Sequence, residues 1–124
     1  MTTKERIVLM VLFATTLASL MILIHMISQN RKYKERMIMM TQYAATLEAL
    51  DDFECGVLRV YELRKDGERE FANRSEGPFE LWYMPYYPIL GKPDIESMEV
   101  FVQSYNRKMK RMYEKKNSPN KQKQ

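Results

Sequence analysis

The side chains of this 124-residue sequence whose type or clustering could do chemistry are its one histidine (His25), its one cysteine (Cys55) and, among sixteen acids, the cluster Asp51, Asp52 and Glu54. A thiol beside an imidazole could form a nucleophile–base pair or share a metal, and clustered carboxylates could hold calcium. The spacing favours none of these. His25 and Cys55 lie in different kinds of segment, and the sequence contains no CxxC or HExxH and no glycine-rich phosphate loop among its four glycines. Three acids at a helix end are too few ligands at unsuitable spacing for a calcium loop. The expectation is therefore a non-enzymatic protein with no catalytic residue, no metal and no cofactor.

His25 needs its own weighing, because an ionisable residue in an apolar run is by type a proton relay or an axial haem ligand. It stands three positions before the polar residues that follow Ile27, where an imidazole can reach toward lipid headgroups. An interfacial placement is the expectation.

The remaining chemistry is ionic and aromatic. Arg31, Lys32, Lys34 and Arg36 form a basic collar, and Arg107, Lys108, Lys110, Arg111, Lys115, Lys116, Lys121 and Lys123 make a basic tail opposed only by Glu114. Near anionic lipid each such cation contributes about 1 kcal/mol, so the collar is expected to contact the membrane surface. Tail cations interleaved with Tyr105 and Tyr113 would also suit nucleic acid, though that partner is not favoured. Such binding would fall steeply with salt and vanish on removal of residues 107–124. Trp82, Tyr83, Tyr86, Tyr87, Met98, Tyr105 and Met109 have the composition of contact hot spots and are the expected partner-contact residues.

The elements that position these groups begin with an apolar helix. Ile7 to Ile27 are 21 residues without a formal charge. As a helix they span about 31 Å, the thickness of a hydrocarbon core. The run is longer than a signal-peptide core and has no A-x-A-like site at its end, which favours an uncleaved anchor. The hydroxyls of Thr15, Thr16 and Ser19 can bond the preceding turn, and Ala14, Ala18 and Ser19 form a small-residue stripe. Four cations on the C-terminal flank against Lys4 and Arg6 on the other favour a single-pass protein with its C-terminal domain cytoplasmic or matrix-facing. A single cysteine excludes an intrachain disulfide. Asn73-Arg74-Ser75 is a formal sequon, relevant only in a eukaryotic lumen.

After the span the charge is segregated. Residues 37–100 hold thirteen acids and six bases, while residues 101–124 hold eight bases and one acid. Tyr33, Met37, Met40, Ala44 and Leu47 step by four and three, so a juxtamembrane helix over 28–52 should continue the span as one rod of about 45 residues. It should stop near Asp51-Asp52, where the macrodipole opposes acids. The period then changes. Strands are expected at Gly56–Leu63, Glu68–Asn73 and Pro78–Met84, with Asp66-Gly67 as a tight hairpin and Phe79, Leu81 and Tyr83 on one face. Pro93 can open a last helix whose seam is Ile95, Met98, Val102, Tyr105, Met109 and Met112, steps of three and four over nearly three heptads.

The expected fold class is α+β: a transmembrane helix continuing into an amphipathic helix, a small three-stranded antiparallel β-meander, and a C-terminal amphipathic helix. Its organisation is a short flank (1–6), the span (7–27), the juxtamembrane helix (28–52), a small domain (53–116) and a disordered basic tail (117–124). This layout resembles type IV pilins and pseudopilins, whose N-terminal helix is half apolar and half amphipathic and leads into a small antiparallel sheet. Glu5 falls where that family keeps a glutamate, although Lys4 and Arg6 flank it here. The resemblance implies an exported filament or surface subunit. The residues themselves favour an accessory subunit or assembly scaffold of a membrane complex, with other membrane subunits and anionic headgroups as partners, or a homo-oligomer through a helix seam.

Overall fold

The computed structural model describes residues 2–88 and 94–118. Its elements are α1 (Thr3–Glu54), β1 (Arg59–Lys65), β2 (Glu70–Glu76), β3 (Phe79–Tyr86) and α2 (Ile95–Lys116). The fold is α+β, with two helices and one mixed three-stranded sheet. The chain divides into two units, Met1–Arg36 and Met37–Gln124.

The first unit is the N-terminal part of α1. It starts with a capping box: the Glu5 amide donates to Thr2 Oγ1 at 3.3 Å, and the Thr2 amide donates to Glu5 Oε2 at 2.9 Å. Glu5 thus has a local structural task, legible in Thr2-Thr3-Lys4-Glu5. Thr15 and Thr16 donate to the carbonyls of Val11 and Leu12 at 2.8 Å, as their helical setting demands. This helix includes a stretch long and apolar enough to cross a membrane, with mean hydropathy 2.7 and none of it buried within the protein.

The second unit holds the rest of α1, the sheet and α2. The helix ends in a Schellman motif: Val57 N–H donates to Asp52 C=O at 2.8 Å and Gly56 N–H to Phe53 C=O at 3.1 Å, with Gly56 at φ +81°. Only glycine takes that conformation without a Cβ penalty. The helix thus runs to Glu54, two residues past the Asp51-Asp52 stop expected from the macrodipole.

The antiparallel meander is not what forms. The sheet order is β1-β3-β2, with β1 parallel to β3 and β2 antiparallel to β3. Asp66 and Gly67 both have positive φ, as the Asp-Gly signature requires. Yet β1 and β2 splay apart and β3 enters between them. The composition of the strands explains this. A central strand pairs on both sides and favours the apolar FELWYMPY of β3, whereas EFANRSE in β2 is mostly exposed and suits an edge. The hairpin forms one step later, at Gly77-Pro78, pairing Glu76 with Phe79. The β1–β2 connection is fastened to the end of β3 by Asp66 N–H to Tyr86 C=O at 3.0 Å and Tyr87 O–H to Gly67 C=O at 2.7 Å.

The core joins Val60 and Tyr61 of β1, Phe79, Leu81 and Met84 of β3, Phe101, Val102, Tyr105 and Met109 of α2, and Ala45 and Ala49 of α1. The expected α2 seam is used, except that Ile95 is exposed. Helix α2 starts with Asp94 as N-cap, its side chain accepting from Ser97 N–H at 2.8 Å. Pro93 lies outside the described residues. The expected α1 seam is not used for packing. Met37, Met40 and Leu47 are exposed and the buried contact is made by Ala45 and Ala49, because small residues admit the closest helix approach. Of the expected disordered tail, Asn117 caps α2 by donating to Tyr113 C=O. Residues 119–124 lie outside the described residues.

Candidate functional site

The expected partner-contact residues separate into two groups. Tyr105 and Met109 are fully buried in the core of their own unit and present no outer surface; the seam that marked them is an internal one. Trp82, Tyr83, Tyr86, Tyr87 and Met98 are half-buried. Trp82 is held from several sides: the Arg59 guanidinium lies 3.9 Å from its ring centroid, Phe71 packs at 5.8 Å, and its Nε1 donates to Glu80 Oε2 at 3.2 Å. Arg64 lies over Tyr83 at 5.0 Å, and Met98 packs against the core. Much of the aromatic stretch thus serves its own sheet.

Arg31, Lys32, Lys34 and Arg36 are all exposed on α1. On α2, Lys110 reaches Glu76 at 3.5 Å and Lys116 lies 5.6 Å from the Phe53 ring centroid. His25 is exposed on α1, and Cys55 is a free, exposed thiol just past its end. Among the described residues no three His, Cys, Asp or Glu side chains cluster as metal ligands.

A polar cluster inside the second unit was not legible beforehand. Tyr105 O–H donates to Asp52 Oδ2 at 2.5 Å, tying α2 to α1 across 53 residues of sequence. Burial raises the Tyr105 pKa well above the usual phenol value, and the Asp52 carboxylate, as hydrogen-bond partner and charge, raises it further. The phenol therefore stays protonated and acts as a donor. Tyr61 packs edge-on to Tyr105 at 4.7 Å, and Arg69 lies 5.6 Å from the ring centroids of both Tyr61 and Phe101 while binding Glu48 at 2.7 Å. Asn106 holds the β1 edge. The cluster locks helices to sheet.

Beside its exposed charged side chains, the second unit presents an apolar face on α1. Met37, Met39, Met40, Tyr43, Leu47 and Leu50 are all exposed along α1. Tyr43 and Leu50 border this face although they lie outside the expected seam, and their seven-residue spacing was the available signal; Met39 lies to one side of it.

The architecture defines an α+β protein with an apolar N-terminal helix. No protein-family model matches the chain, and no similar protein was found among curated sequences or solved structures.

Proposed function

We propose that the chain is a non-enzymatic single-pass membrane protein, an accessory or scaffold subunit of a membrane complex, with its small α+β domain on the cytoplasmic side. One observation carries this reading. The 21-residue uncharged stretch of α1 leaves its largest side chains uncovered, with Met10 and Phe13 each 72% exposed. Leaving such side chains in water forfeits about 1.5–3 kcal/mol each, and a bilayer supplies the missing apolar surroundings.

The basic collar supports the orientation, since cations beside a span are retained on the cytoplasmic side. The polar network of the domain is internal, Tyr105 donating to Asp52, which supports a structural role for these groups.

Cys55 provides the test, being the one cysteine and exposed. Membranes from cells expressing the chain are washed with carbonate, and intact cells are treated with an impermeant maleimide, with Cys55→Ala as the blank. The expected result is a chain retained after the wash and labelled only after the membrane is opened. Release by carbonate overturns the span. Labelling of intact cells overturns the orientation and moves the exported-subunit reading, with its pilin-like layout, to first place.

A further inference from the structure

We propose that the outward face of α1 pairs in parallel with the same face of a second copy of this chain, forming a two-stranded coiled coil beside the membrane. Within the second unit, Met37, Met40, Ala44 and Leu47 step by three, four and three, the spacing of alternating a and d positions. They lie away from the packed side of the helix: Met40 is 66% exposed and Ala49 is 0% exposed. Tyr43 and Leu50, at g positions, widen the uncovered surface.

Two features of the sequence select a second copy as the occupant. Along the sequence the same phase runs back through Tyr33, Asn30, Met26 and Leu23 as far as Leu9, a seam free of charge over its whole length. Asn30 falls at an a position, where a buried amide favours one register and a two-stranded pair. The parallel arrangement rests on the proposed membrane insertion, which orients all copies alike.

The flanking charges complete the argument. In a parallel pair each g residue faces the e residue five positions on in the partner. Arg36 then meets Thr41, and Tyr43 meets Glu48, whose Oε1 binds Arg69 of its own copy while its other oxygen can accept from the phenol O–H. Lys34, at e, meets Gln29. No like charges oppose one another until Asp51, an a position where two carboxylates would meet and the seam ends. Arg31, Lys32 and Glu35 occupy b, c and f, the outer side.

The test places single cysteines in the full-length Cys55→Ala chain at Met40 or Leu47, both d positions, and at Met39, a c position. Native membranes are oxidised with copper phenanthroline, which accepts the two electrons released when two thiols join. The expected product is a covalent dimer from Met40→Cys and Leu47→Cys, at least tenfold more abundant than from Met39→Cys. Equal yields at all three positions would reveal random collision and overturn the pairing, as would no dimer at any. Native mass in mild detergent is the second measurement. Two copies are expected for the wild type and one for Met40→Glu combined with Leu47→Glu; one copy bound to a different protein overturns the proposal. Carbonate washing of the same samples reports the membrane reading separately, so failure of the span and failure of the pairing are distinguishable.

Discussion

The side-chain amide of Asn106 pairs with the backbone of Tyr61 as a strand would: Tyr61 N–H donates to Asn106 Oδ1 at 2.8 Å, and Asn106 Nδ2 donates to Tyr61 C=O at 2.9 Å. Tyr61 lies on β1, an edge strand of the sheet. An unpaired edge is a template for association, and a helix side chain here occupies both of its groups. Replacing Asn106 by Leu leaves a donor and an acceptor unsatisfied in a half-buried site, at about 1–3 kcal/mol. The expected outcome is a lower midpoint in denaturant for the full chain in micelles, with faster hydrogen exchange at the Tyr61 amide. An unchanged exchange rate there would remove the edge-capping role.

Tyr105 links the two helices through Asp52, and Tyr105→Phe tests that link while keeping the ring against Tyr61 and Phe101. Loss of a bond to a charged acceptor predicts destabilisation of about 1.5–3 kcal/mol. The pH dependence has a definite sign. The folded pKa lies above the unfolded value near 10, so the stabilisation is complete below pH 10 and is lost as pH rises above it. Urea titrations at pH 8 and pH 11 should show the wild type losing stability over that interval and Tyr105→Phe losing less. Equal losses would mean that the phenol is not held as described.

Ala45 and Ala49 are the α1 side chains in the core, and the methionines in the expected seam are not. Ala49→Leu should overpack the contact and cost about 1–3 kcal/mol. Met39→Leu, at an exposed position outside the seam, should change stability by less than about 0.5 kcal/mol in the same thermal scan. The opposite ranking would place the packed face of α1 on the methionine side.

Converting Arg31, Lys32, Lys34 and Arg36 to Glu removes the cations that favour a cytoplasmic C-terminal flank and leaves Lys4 and Arg6 on the other. The expected outcome is inversion, read as labelling of Cys55 in intact cells. Unchanged protection would show that the collar does not set orientation.

Hydrophobic period is a local property, which is why so much was readable from one chain. The uncharged run at Ile7–Ile27, the three- and four-residue steps of α2, and the β-branched and aromatic stretches at β1 and β3 each announce their element without reference to anything distant. Asp66-Gly67 likewise announced a turn, and both residues have the positive φ it needs. The turn could not announce which strand β1 would pair with, because pairing is decided by competition among strands, and β3 offers the most apolar surface for the central place. The face of α1 that packs is decided in the same way. Its sequence carries an apolar stripe of methionines and leucine, but the closest helix approach is made through Ala45 and Ala49, whose small size matters only once the aromatic residues of α2 and β1 are in place. The bonds from Asp52 to Tyr105 and from Asn106 to Tyr61 are longer-range still, joining residues 53 and 45 apart in sequence. By itself the sequence determined the elements, the uncharged span and the segregation of charge. Only the tertiary structure decided strand order, the packed face of α1 and the polar links, since each depends on what the distant chain leaves unsatisfied.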